Sequence, residues 1–165
     1  MPLPVKALLY LYPTEETPIN IVRKLVDKYK IRQSKLSTAY VLTPKIDQKI
    51  VNDIIANNFY RLKLIINSQY RKESMNGIHV LRSRLSEENV HIRQRDDIYY
   101  TLILAKIRDP KFALLTTLWL SGTNLWYKKP MVPESLIVIE EKETLKYFIE
   151  YYNRLYASSK VVIIR

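Results

Sequence analysis

The sequence predicts an α/β domain built on a mixed β-sheet flanked by helices. Three observations lead there. Short apolar strands alternate with helical segments along most of the chain, which is the pattern of α/β folds. The run from Leu36 to Asn67 reads strand–helix–strand within about thirty residues, a βαβ unit that implies a parallel pair. The run from Ile98 to Leu120 reads as two strands turning at Arg108-Asp109-Pro110-Lys111, which adds an antiparallel hairpin.

Each element has its own signal. Ala7–Tyr12 reads as a short strand. PTEETP then supplies a turn and a cap, with Thr17 as N-cap and Pro18 at the first helical position. The helix runs from Pro18 to Tyr29, with Ile19, Val22, Val26 and Tyr29 on one face. LSTAYVL, Leu36–Leu42, reads as a strand. Thr43-Pro44 opens a helix whose apolar face is Ile46, Ile50 and Ile54 with Val51 and Ile55, and Asn57-Asn58 ends it. RLKLIIN, Arg61–Asn67, is the second strand of the βαβ unit. YRKESMN, Tyr70–Asn76, reads as a polar connection, followed by a helix through Ile78, Leu81 and Leu85.

VHIRQR alternates, with Val90 and Ile92 on one side and His91, Arg93 and Arg95 on the other; Asp96-Asp97 turns the chain. IYYTLILAKI, Ile98–Ile107, is nearly all apolar, as expected of a strand buried on both faces. Phe112–Leu120 returns. Ser121–Pro133 is a loop, and SLIVI, Ser135–Ile139, is another strand. Glu143–Ala157 reads as a helix with Leu145, Phe148, Ile149, Tyr152 and Leu155 inward. Glu140, Glu141 and Glu143 sit at its start, where the helix dipole favours negative charge. Val161–Ile164 adds a last strand.

At 165 residues, with no repeat and no evident linker, the chain reads as one domain with a core of its own. It has no cysteine, which excludes disulfides, thiolate metal sites and cysteine nucleophiles. Two histidines, His79 and His91, leave little for a metal site, and no metal or cofactor is expected. The early apolar run falls far below the roughly 20 residues that span a bilayer, and PTEE comes after it rather than a small-residue cleavage site. The expectation is an intracellular, cytoplasmic protein without a membrane partner. Two glycines against thirteen tyrosines, with abundant Ile, Lys and Arg, fit a thermophilic archaeal or viral setting, although genomic base composition produces the same bias.

The net charge of +11 favours a polyanion partner, nucleic acid first; the plain alternative is a lysine-rich surface serving solubility. The excess is uneven. Residues 61–129 hold thirteen Lys or Arg against six acids, most of the surplus, while the C-terminal helix starts acidic. Arg71 and Lys72 come after a strand of the parallel pair, at the end where α/β sheets bind ligands. Arg93 and Arg95 form either a phosphate stripe or a solvated strand face.

LAKIRDPKFALLTTLWLSGTNL, then PESLIVIEEKETLKYFIEYYNRLY, together with LSTAYVLTP and its helix, resemble one half of a phospholipase D-like (HKD superfamily) protein over residues 36–156. In that superfamily a strand carries His-x-Lys, a hairpin comes next, and the returning strand ends in small residues with Ser and Asn. Here the histidine falls on Leu104 and the lysine on Lys106. The aspartate falls on Lys111, with Asp109 the nearest carboxylate. The serine falls on Thr117, the asparagine on Trp119 and the later glutamate on Glu134. The mechanism of the resembled enzymes needs one histidine to attack phosphorus and a second to protonate the leaving oxygen. Leucine has no lone pair to attack with and no proton to give. The resemblance therefore implies a non-catalytic protein in which Lys106 still holds a phosphate oxygen.

The resemblance also places the loop after the Trp119 strand beside the same cleft. Ser121, Thr123, Asn124, Trp126, Lys128 and Lys129 lie there, a set able to contact backbone phosphates and stack on a base; Trp126 is equally readable as a core anchor. Single-half relatives pair to complete the site, which implies a homodimer with the Leu104 and Trp119 region near the contact. The leading expectation is a protein that binds nucleic acid, DNA foremost, through a basic phosphate-binding cleft. The first alternative is a diverged phosphodiesterase or nuclease using Lys106 with His91 or Asp109. The second is a structural or protein-interaction module whose charge is incidental. His79 reads as a surface residue, and Asp96-Asp97 as a turn rather than a magnesium site.

Overall fold

The computed structural model describes residues 6–11, 18–46, 59–116 and 135–162. Their order is β1 (Ala7–Leu11), α1 (Pro18–Lys28), β2 (Thr38–Thr43), β3 (Arg61–Asn67), α2 (Arg71–Leu85), β4 (Val90–Arg95), β5 (Thr101–Lys106), β6 (Pro110–Thr116), β7 (Ser135–Ile139), α3 (Lys142–Ala157) and β8 (Lys160–Val161). The strands form one sheet in the order β1-β7-β6-β5-β2-β3-β4-β8. β2, β3 and β4 are parallel, with Thr43 opposite Ile66 and Asn67 opposite Arg95. Every other pair is antiparallel. This is the mixed α/β architecture that the strand–helix alternation and the apolar hairpin predict.

Helices cover both faces. On one, Val22, Leu25 and Val26 of α1 and Ile78 and Leu81 of α2 join Val41, Leu62, Leu64, Ile66, Ile92 and Phe112 in a core. On the other, Leu145 and Tyr152 of α3 join Tyr40, Leu42, Ile65, Leu102, Leu104 and Ala113. The central strands β2, β3 and β5 are therefore buried on both sides, which accounts for their continuous apolar runs. Tyr152 is fully buried, and its hydroxyl donates to the carbonyl of Val41 at 3.2 Å.

Three expectations change. The polar stretch YRKESMN is not a connection: α2 begins at Arg71, and Ser74 and Gly77 lie buried on the face that continues through Ile78 and Leu81. Ser74 Oγ accepts a hydrogen bond from the backbone N–H of Ile46 at 3.0 Å, so a hydroxyl occupies a position where a periodicity argument looks for an apolar side chain. Residues 44–46 after β2 are not helical, and the remainder of that expected helix, with the N-cap Thr17, lies outside the described residues. Ile98 is buried but precedes β5 rather than belonging to it.

The buried Asn67 ends β3 and ties together two later segments. Its Oδ1 accepts from the backbone N–H of Gln69 at 3.0 Å, and its Nδ2 donates to the carbonyl of Ile98 at 2.8 Å. One side chain thereby fixes the turn into α2 and the entry to β5.

Candidate nucleic-acid interface

That turn opens onto a basin at the carboxyl ends of β3 and β4. Ser68, Gln69, Arg71, Lys72, Gln94 and Lys160 line it, around a volume of about 800 Å³. A neighbouring recess of about 220 Å³ shares Ser68, Gln94 and Lys160 and adds Arg95, Asp96 and Ser158. β8 brings the third cation: it pairs antiparallel with β4, and the register sets Lys160 opposite Gln94. Lys72 and Lys160 are exposed and Arg71 is half-buried. The Oε1 atom of Gln94 is buried and has no hydrogen-bond partner among the described residues.

The expected basic residues separate into groups. Arg71 and Lys72 come together in the basin. Arg95 stands beside it, with its charge already matched: Nε and Nη2 donate to the two carboxylate oxygens of Asp97 at 2.8 and 2.9 Å, and Nη1 donates to Ser158 Oγ at 2.5 Å. The hydrogen bonds from Arg95 hold the Asp97 carboxyl below the usual carboxylate range. Arg93 is not part of a free phosphate stripe. It donates to the carbonyls of Tyr156 and Ser159 at 3.0 and 3.3 Å and fastens the end of α3 to β4.

Lys106 does not share the basin. It lies opposite Thr38 at the start of β2, whereas the basin begins beyond the strand's other end. The two positions are separated by roughly 17 Å at the usual strand rise. Lys106 is half-buried, with its ammonium 5.3 Å from the ring centre of Tyr40. A single cleft joining Lys106 to Arg71 and Lys72 is therefore replaced by two separate surfaces.

Leu104 is fully buried in the core beneath α3. Its side chain therefore offers no apolar surface of its own to a second copy of the chain. His91 is exposed on a recess of about 290 Å³ with Arg82, Arg93 and Tyr156, and its register partner on β3 is Lys63. His79 is exposed on α2. Among the described residues no three His, Asp or Glu gather as a metal site, and no helix is long and apolar enough to cross a membrane. Thr117, Trp119, Ser121, Thr123, Asn124, Trp126, Lys128, Lys129 and Glu134 lie outside the described residues.

Gln94 and Lys160 were missed by sequence reasoning. Gln94 carries a faint signal, since it is the one polar residue on the Val90–Ile92 side of an alternating strand. Lys160 carries none, because its place depends on β8 returning to the sheet edge.

No protein-family profile and no curated protein matches the chain. Solved structures do. TrmBL2, an archaeal chromatin protein described as showing a novel mode of DNA binding, superposes with a TM-score of 0.59 at 12% identity, over 98% of this chain and 56% of its own. NucT from Helicobacter pylori gives 0.60 at 16% identity, over 95% of this chain and 99% of its own. Nuc from Salmonella typhimurium, a phospholipase D family member, gives 0.61 at 8% identity, over 96% and 99%. This chain thus spans about half the length of TrmBL2 and nearly all of NucT and Nuc. At these identities the likeness concerns the fold: the mixed eight-stranded sheet with its helices is a phospholipase D-like architecture.

Proposed function

We propose that this chain binds nucleic acid, DNA foremost, through the basin at the carboxyl ends of β3 and β4, and does not cleave it. The observation that carries the reading is the meeting of Arg71, Lys72 and Lys160 around one open volume at the end of the parallel strands. That is where open α/β sheets hold ligands, and three cations there suit phosphate oxygens. The net charge of +11 supplies the long-range attraction. A likeness of fold to a DNA-binding chromatin protein supports the same direction. The non-catalytic part rests on Leu104, a buried side chain without acid–base or nucleophilic chemistry at the position matched to the attacking histidine. Pairing of two copies stays within the reading, but through a surface other than Leu104.

The test is a salt titration of binding to a labelled DNA duplex. Affinity should fall steeply as salt rises. Each lysine–phosphate pair accounts for about 0.9 of the log–log slope, so replacing Lys72 and Lys160 together by Ala should flatten it by about 1.8. Absence of binding at about 50 mM salt overturns the reading. Metal-free cleavage of either single- or double-stranded substrate that disappears in His91→Ala overturns its non-catalytic part.

A further inference from the structure

The basic surface does not end at the basin. Arg71, Lys72, Met75, His79 and Arg82 fall within one arc of about 100° around the axis of α2. Met75 lines the basin, and Arg82 lines the recess that holds His91. Val161 of β8, 64% exposed, borders both hollows. They therefore meet over Val161 and form one track between the flank of α2 and the edge strand. From Lys72 to Arg82 the helix rises about 15 Å. The other ways out of the basin are poorer in available charge. Arg95 is matched by Asp97, and Lys106 lies at the far end of β2. Arg82 keeps an ion pair with Glu87 at 3.3 Å, but the Glu87 side chain is 79% exposed, and exposed pairs are weak enough for a phosphate to displace. Arg93 also borders the recess, yet its guanidinium is engaged by the carbonyls at the end of α3.

We propose that a nucleic-acid backbone leaves the basin over Val161 and follows α2 to a second phosphate subsite formed by Arg82 and His91. The proposal rests on the nucleic-acid reading above and extends it from one basin to a track. At the rise of about 3.4 Å per nucleotide along one strand of a duplex, a track of roughly 15 Å holds about five nucleotides. A more extended single strand covers it with fewer. Met75 and Val161 give the sugars apolar surface between the two groups of cations, and His79 stands on the same flank between them. The ligand class is thus an oligonucleotide strand rather than a mononucleotide.

His79 and His91 are the chain's two histidines, so their imidazole NMR signals report on the track without any variant. The probes are a phosphorylated thymidine dinucleotide and a single-stranded thymidine octanucleotide, both at low salt. The octanucleotide should shift the signals of His79 and His91. The dinucleotide is too short to leave the basin and should shift neither. Arg82→Gln should flatten the octanucleotide's log–log salt slope by about 0.7, as should Lys72→Ala at the other end of the track. Glu87→Gln, which removes the acid opposing Arg82, should raise octanucleotide affinity several-fold. If the His91 signal stays in place at saturation with octanucleotide, the track is wrong even where Lys72→Ala shows that the basin binds. An unchanged slope in a folded Arg82→Gln protein, or unchanged affinity in Glu87→Gln, has the same consequence. A dinucleotide that shifts His91 as strongly as the octanucleotide makes the recess a separate site and ends the continuous track. The imidazole readout stands if Arg82→Gln folds poorly. Absence of binding to octanucleotide and duplex alike by the unaltered chain overturns the broader reading instead.

Discussion

The guanidinium of Arg93 lies 4.4 Å from the ring centre of Tyr156 and donates to that residue's own carbonyl at 3.0 Å. The last carbonyls of a helix lack intrahelical partners, and a cation there is favourable both as donor and against the dipole. Arg93 reaches across from β4 to supply both, and it reaches the Ser159 carbonyl as well. Arg93→Ala should lower unfolding free energy by about 1–2 kcal/mol, read by denaturant titration. The salt slope of DNA binding should stay unchanged, which separates a fastening role from a phosphate contact.

Lys106 offers the complementary test. Its ammonium sits over Tyr40, and Lys63 approaches the same ring at 5.8 Å, both far along β2 from the basin. If the basin carries the nucleic acid, Lys106→Ala should leave DNA affinity within about twofold, whereas Lys72→Ala should reduce the slope by about 0.9. A loss in Lys106→Ala with none in Lys72→Ala would move the interface to the Tyr40 side of the sheet.

The contrast among these cations shows what the sequence could tell. β3 and β7 were legible to the residue because apolar runs between polar turns mark buried strands. The start of α2 was not, because Ser74 and Gly77 pack where periodicity expects larger apolar groups. Arg71 and Lys72 were legible from a positional rule about strand ends. The fate of Arg93 was not: its partners lie more than sixty residues away, and only the docking of α3 brings them near. Lys160 depended likewise on β8 finding the edge of β4. Arg95 was an intermediate case, since Asp97 is two residues distant and the ion pair is local.

Leu104, the position that the phospholipase D-like resemblance matches to the attacking histidine, offers a further test. It is fully buried among Tyr40, Leu102, Ala113 and Tyr152. An imidazole there would bring a ring N–H into an apolar core. Leu104→His should destabilise the fold by about 2–4 kcal/mol without producing phosphodiesterase activity. Thermal melting and a diesterase assay on the same preparation check both halves. Turnover from that variant would show that position 104 opens to substrate.

Glu140 gives the fold a measurable pH response. Burial alone would raise its carboxyl, but hydrogen bonds from Lys28 and Tyr29 outweigh that and hold it below the ordinary range. A group whose folded pKa is depressed contributes stability above its unfolded pKa and loses it as pH falls through the folded value. Stability should therefore decline from about pH 5 to pH 3, and Glu140→Gln should decline less over that interval. The difference should be under about 1 kcal/mol, because the pair is partly exposed to solvent. Parallel acid slopes in the two proteins would deny Glu140 this role.

Asp97 restrains a cation at the rim of the proposed interface. It takes two hydrogen bonds from Arg95, whose third goes to Ser158, so the guanidinium is both neutralised and held in place. Asp97→Asn removes the opposing charge and leaves Arg95 beside the recess that it shares with Gln94 and Lys160. DNA affinity at low salt should rise several-fold, and the salt slope should steepen by up to about 0.9, the value of one added phosphate contact. Arg95→Ala in the same background should abolish the gain. If Asp97→Asn binds DNA as the unaltered chain does, the phosphate path does not reach the Arg95 side of the basin, and the contacts within it belong to Arg71, Lys72 and Lys160 alone.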